Sequence, residues 1–141
     1  MRDTLKNLIP ARWRRDGAVV PVVRLQGVIG FSTPLRPGMT LASVARPLDR
    51  AFAVKGAKAV ALSINSPGGS PAQSHLICRR IRQLAAEKNL PVIAFIEDVA
   101  ASGGYMIACA ADEIIGDTYS IAGSIGVVGG SFGFHKLIEK V

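Results

Sequence analysis

Short apolar blocks recur along the chain, and their spacing switches between a strand-like and a helix-like period. Ala18 to Leu25 is the first block, with Pro21 marking it as an edge strand, and Gly27-Val28-Ile29-Gly30 continues it. Leu41, Val44, Ala45, Leu48 and Phe52 then fall on one face, which predicts a helix from about Leu41 to Val54 with Pro47 kinking it or delaying its start. Lys58–Ile64 reads as a strand. Ala72 to Lys88 reads as a helix that buries Ile77, Ile81, Leu84 and Ala85. Pro91–Glu97 is a short apolar run suited to a buried parallel strand, and Tyr105–Ala111 suits a buried helix. Glu113–Gly116 and Ile125–Val128 are short strand candidates, and Phe134 to Val141 begins a further helix. Strand and helix alternate throughout. The pattern predicts an α/β fold of repeated β-α units around a mostly parallel sheet, its last helix cut short at Val141.

Composition narrows this without changing it. The chain has 141 residues, 49% of them hydrophobic and 6% aromatic, so one domain with an Ala/Val/Ile/Leu core is expected. No apolar run is long enough to span a bilayer, and the N-terminus lacks the apolar stretch and cleavage site of a secretory signal. Residues 1–17 form a basic leader: Arg2, Lys6, Arg12, Arg14 and Arg15 stand against Asp3 and Asp16. Leu5, Leu8, Ile9 and Trp13 recur there at roughly helical spacing. That leaves a frayed tail or a weak contact with an anionic membrane surface as the alternatives. A cytoplasmic protein, peripheral at most to the inner face of the membrane, is the expectation. Arg79, Arg80, Arg82 and Lys88 read as a solvated helix face, and no nucleic-acid partner is expected. Cys78 and Cys109 fall in predicted helices without metal-ligand spacing, so buried thiols, no disulfide and no metal are expected.

The candidate chemistry sits where strands turn into helices. In Asp98-Val99-Ala100-Ala101-Ser102-Gly103-Gly104-Tyr105, Ser102 lies between a strand and a helix, and small neighbours let a substrate backbone approach. An N-cap serine is the plain alternative. In Asn65-Ser66-Pro67-Gly68-Gly69-Ser70 a second turn follows a strand. Its plain alternative is an ordinary strand-to-helix turn. Acyl transfer needs fixed backbone N–H donors aimed at a developing oxyanion, and a Gly-Gly turn can offer them. Both turns belong at the carboxyl ends of neighbouring strands, where open α/β sheets bind ligands.

With these residues in view, the sequence resembles the S49 serine peptidases, the signal peptide peptidase A group, which share the ClpP/crotonase-type fold. The segments that carry the resemblance are Asn65-Ser66-Pro67-Gly68-Gly69, Ala101-Ser102-Gly103-Gly104-Tyr105, Ala110-Ala111-Asp112-Glu113-Ile114 and Ala122-Gly123-Ser124-Ile125-Gly126-Val127. It covers residues 18–141 and implies that these are the N-terminal and nucleophile-bearing part of such a domain, incomplete at the C-terminus. The resemblance implies Ser102 as nucleophile, the Gly68, Gly69 and Gly103 amides as oxyanion donors, and Ser124 as a hydroxyl that orients the base. It also implies a Ser-Lys dyad whose lysine would lie beyond Val141. None of Lys6, Lys55, Lys58, Lys88, Lys136 and Lys140 resembles that base, and each reads as solvated. The family implies peptide substrates, signal-peptide remnants among them, no cofactor, and a homo-oligomer or a related S49 subunit as partner. Two alternatives are a non-catalytic assembly module and a crotonase-type acyl-CoA hydratase or hydrolase, which uses the same paired amides without Ser102. A Ser-His-Asp triad from His75 or His135 with Asp98 is weaker, because a lone helical histidine is more often structural. The glycines of Gly126–Gly133 have the wrong spacing for a dinucleotide loop. An extended peptide is expected to pair along Ile64–Pro67 as an added strand.

Overall fold

A computed structural model describes residues 18–30 and 38–126, and in them five parallel strands and three helices alternate. The strands are β1 (Val22–Gln26), β2 (Val60–Ser66), β3 (Val92–Ala101), β4 (Glu113–Gly116) and β5 (Ile121–Gly123). The helices are α1 (Leu41–Phe52), α2 (Pro71–Lys88) and α3 (Gly103–Ala108). The sheet order is β1-β2-β3-β4, so among the described strands β1 lies at an edge, as Pro21 suggested. β3 is long enough to serve two neighbours: Ile93–Ile96 pairs with β4, and Val99–Ala101 pairs with β5. The α/β class and the parallel sheet expected from the sequence are both present.

Alternation decides which face of the sheet is covered. Register aligns Val23, Leu62 and Ala94 in one row and Leu25, Ile64 and Ile96 in the next, and all six are buried. They meet Val44, Leu48 and Phe52 of α1, Ile77, Ile81 and Leu84 of α2, and Ile107 of α3 in one aliphatic core. Full burial of each Leu or Ile contributes about 1.5–3 kcal/mol. The opposite rows place Arg24, Ser63, Phe95 and Ile115 side by side, and no described helix covers them. Polar pairs fasten the strand ends on that face. Glu97 accepts from Gln26 Nε2 at 3.2 Å and from Ser63 Oγ, and Asp98 accepts from Asn65 Nδ2 at 2.7 Å.

Helix boundaries follow their caps. Thr40 and Ser43 form a reciprocal capping box at the start of α1. Because that cap is satisfied, α1 begins at Leu41 and runs through Pro47, so the expected delay does not occur. α2 starts with Pro71 at its first position after the Ser70 cap and ends at Asn89 in a left-handed conformation. Arg80 and Arg82, expected merely as solvated, pair with Asp49 at 2.6 Å and Asp112 at 2.8 Å.

Several boundaries differ from the sequence reading. β3 continues to Ala101 instead of stopping at Glu97, because β5 supplies a pairing partner for its far end. β5 precedes the expected Ile125–Val128 strand: Ile125 and Gly126 are not in a strand, and residues 127–128 lie outside the described residues, as does the Phe134–Val141 helix. The basic leader, residues 1–17, also lies outside them. β2 is flanked by β1 and β3, so the peptide-pairing edge expected at Ile64 is already occupied. No helix among the described residues is long and apolar enough to cross a membrane.

Candidate active site

The junction between β3 and α3 is a single residue, Ser102. Its backbone has φ 51 and ψ −116, a conformation that L-residues rarely adopt and that costs about 1–3 kcal/mol. Two contacts hold it there. Ser102 N–H donates to Gly123 O of β5 at 2.7 Å, and Ser102 O accepts from Met106 N at 3.0 Å to open α3. A strained strand-to-helix turn of this kind lifts a serine hydroxyl clear of the sheet. Ser102 occupies the N-cap position of α3, as the plain reading has it, but its side chain makes no capping bond.

The second turn closes directly against the first. Gly68 (φ +97) sits so near that a Cβ on it would lie 2.9 Å from both Ser102 Cβ and Gly103 N. Gly69 (φ +143) bridges to Ile29, whose N–H donates to Gly68 O at 2.8 Å and whose carbonyl accepts from Ser70 N at 2.8 Å. Only glycine fits here, since a Cβ at Gly69 would enter the Ile29 carbonyl. The amides divide by role. Gly68 N–H donates to Ser66 Oγ at 3.2 Å, and Ser66 Oγ donates onward to Gly27 O at 2.7 Å. Among the described residues, neither Gly69 N–H nor Gly103 N–H has an acceptor. Both border the same cavity as Ser102.

That cavity has a volume of about 430 Å³ and is lined by Gly69, Pro71, Ser102, Gly103, Tyr105, Met106, Cys109, Ile125 and Gly126. Its size suits a side chain or small ligand, and its walls are mainly apolar. Ser124 follows β5 with φ 53, one residue beyond the Gly123 carbonyl that holds Ser102. Ser102, Gly68, Gly69 and Gly103 are therefore brought together, with Ser124 at the edge.

Other candidates fall elsewhere. His75 is exposed on α2 and does not line the cavity, Asp98 is engaged by Asn65, and His135 lies outside the described residues. Lys55, Lys58 and Lys88 are exposed and away from the cavity, while Lys6, Lys136 and Lys140 lie outside the described residues. No metal-binding cluster occurs among the described residues. The two thiols are not both buried: Cys78 is half-buried, whereas Cys109 is exposed on the cavity side of α3 with Tyr105 and Met106, away from buried Ile107 and Ala108. Burial pushes the Cys78 thiol up, and the neighbouring Cys109 adds to the shift. Ser66, Ser74 and Ile29, which shape both turns from beneath, escaped sequence reasoning. A buried serine ahead of Pro-Gly-Gly carries no local sign of its long-range partners.

Residues 84–141 match the family "Peptidase family S49". The chain is 40% identical over 124 residues, 86% of its length, to Protease 4 of Haemophilus influenzae, and covers 20% of that protein. It is 62% identical over 138 residues, 97% of its length, to a protein of Brucella melitensis named Na(+)/H(+) antiporter NhaA, of which it covers 19%. That name describes a protein whose remaining four-fifths have no counterpart in this chain. Among solved structures, a mutant of the 1510-N membrane-bound stomatin-specific protease aligns with a TM-score of 0.55 at 22% identity. The alignment covers 73% of this chain and 45% of that one, and shows likeness of fold. The chain thus spans about a fifth of the length of each of these two curated relatives.

Proposed function

This chain belongs to peptidase family S49, as one region of longer relatives, and from that premise we propose that it carries the nucleophile half of a serine endopeptidase site. Ser102 Oγ attacks a peptide carbonyl, and its proton passes to a base and then to the departing amine. The C–N bond breaks, leaving an acyl ester on Ser102 that water hydrolyses. Gly69 and Gly103 N–H groups hold the tetrahedral oxyanion, while Gly68, tied to Ser66, fixes the turn that presents them. Ser124 orients the base. The base is a lysine supplied by a related subunit, since the described Lys55, Lys58 and Lys88 are all exposed. The apolar cavity favours peptides with apolar or small side chains, signal-peptide remnants among them. The observation that carries this reading is the strained backbone of Ser102 with two unengaged amides beside it.

A second reading, a non-catalytic assembly module, is favoured by the exposure of those three lysines. A fluorophosphonate probe separates the two. The nucleophile reading expects slow labelling of Ser102, abolished in Ser102→Ala and accelerated when a longer homologue is added. Peptide turnover by the chain alone stays several orders of magnitude below that of a complete site. Labelling of Ser102 no faster than that of exposed Ser43 would refute a preformed oxyanion site.

A further inference from the structure

Two polar side chains are fully buried among the described residues, Ser66 and Ser74, and each lies beneath one of the two glycines that open α3. A Cβ on Gly104 would lie 2.6 Å from Ser66 O and 3.2 Å from Ser66 Cβ. A Cβ on Gly103 would run into Ser74 Oγ, with Ser74 Cβ at 3.2 Å and Ile29 Cδ1 at 3.3 Å. Neither glycine has a positive φ, so close packing, not backbone conformation, excludes a side chain there. Ser74 reaches the other turn as well. It lies one turn into α2, and its Oγ donates to Ser70 O at 2.8 Å. The same carbonyl accepts from Ser74 N at 3.0 Å, and Ser70 N, next to Gly69, donates to Ile29 O at 2.8 Å. One buried hydroxyl is therefore fastened to the turn that carries Gly69 N–H and bears on the residue that carries Gly103 N–H.

We propose that Ser74 is a positioning residue of the Ser102 site: without touching substrate, its hydroxyl sets the spacing and aim of the Gly69 and Gly103 N–H groups. This rests on the reading of those two amides as oxyanion donors. Such a donor stabilises the oxyanion only within a narrow range, about 2.7–3.1 Å. Gly69 and Gly103 belong to separate strand-to-helix turns, so their separation depends on what packs between α2 and α3. At Gly103 that group is the Ser74 hydroxyl. The directional bond to Ser70 O fixes the hydroxyl relative to the Gly69 turn, which a methyl group of similar size could not do. Removing the hydroxyl lets the start of α3 settle toward α2. Filling the space above it pushes α3 away. Either displacement takes Gly103 N–H off its aim while leaving the cavity walls in place.

The test labels Ser102 of the full chain with an alkyl fluorophosphonate over a range of concentrations. Saturation separates binding of the probe in the cavity from the maximal rate at which Ser102 Oγ bonds to phosphorus and fluoride leaves. Ser74→Ala is expected to keep the probe affinity and to lower the maximal rate roughly tenfold, part of the loss that follows removal of an oxyanion donor. A serine with a merely structural role would lower the melting temperature and the fraction of chain that labels. The maximal rate of the folded fraction would then equal that of wild type, and that result overturns the proposal. Gly103→Ala is expected to label more slowly still, because its methyl presses on the Ser74 hydroxyl. Combining it with Ser74→Ala is expected to recover about tenfold of that rate, since the methyl takes the space the hydroxyl left. Equal slowing by Gly103→Ala with and without the Ser74 hydroxyl also overturns the proposal. The two readings fail differently. A wild type whose Ser102 never labels removes the nucleophile reading and the positioning role with it, whereas wild-type labelling that Ser74→Ala leaves unchanged removes the role alone.

Discussion

Gly68→Ala probes the contact between the two glycine turns. At φ +97, the new Cβ would lie 2.7 Å from Ala101 O, 2.9 Å from Gly103 N and 2.9 Å from Ser102 Cβ. These atoms are backbone or the first carbon of the serine, so none can swing aside. A left-handed backbone costs an alanine about 1–2 kcal/mol. Forcing a methyl into packed atoms adds about 1–3 kcal/mol. Gly27 separates the two contributions, because it has φ +92 with nothing within 4 Å of its Cβ position. Gly27→Ala therefore carries only the backbone cost. The crowding alone should place the melting temperature of Gly68→Ala roughly 3–15 °C below that of Gly27→Ala. Far-ultraviolet circular dichroism on both variants measures the gap. Coincident melting curves would show that the turn relaxes freely, and that Gly68 does not fix the setting of Ser102.

Two further outcomes follow from hydrogen bonds near the sheet. Asp112 accepts from Val92 N at 2.8 Å and from Arg82, and these bonds hold its carboxyl below the ordinary 3.8. With the folded value depressed, the stabilisation is complete above pH 3.8 and is lost as pH falls through the lower folded value. The lead of wild type over Asp112→Asn in urea midpoint should thus hold at neutral pH and close below that point; a lead unchanged by acid would refute the assignment. Ser66→Ala removes the hydroxyl shared by Gly27 O and Gly68 N–H and should cost about 1–3 kcal/mol in urea unfolding. A midpoint equal to wild type would mean that those groups find other partners.

The strand-turn-helix units were legible because their signals are local. Apolar runs ending in Gly-Gly announced both turns, and the 3.6-residue period of Ile77, Ile81 and Leu84 announced the buried face of α2. Features set by distant partners were not legible. β3 extends to Ala101 only because Ile121–Gly123 pairs beside it, and β2 has no free edge only because β1 occupies it. Pro47 looked disruptive, yet the Thr40–Ser43 cap fixes the helix start upstream of it. Cys109 looked buried within an apolar run, yet it falls on the exposed face of α3 with Met106 and not on the face of Ile107 and Ala108. At the site, the sequence named the glycines and the serine. It could not divide the amides into Gly68, held by Ser66, and Gly69 and Gly103, which have no acceptor among the described residues.

The two-part pairing of β3 has a consequence for the order of events during folding. Parallel strands close long loops before their contacts form, and such pairings are slow. The rows through Leu62 and Ala94 can assemble once β1, β2 and β3 have met, with α1 and α2 packed on them. Ser102 gains its Gly123 acceptor only when β5, the last described strand, docks on the far end of β3. The scaffold can therefore be nearly native while the serine turn is still relaxed. A nascent chain would acquire the strained backbone of Ser102 only at the closing step of its folding.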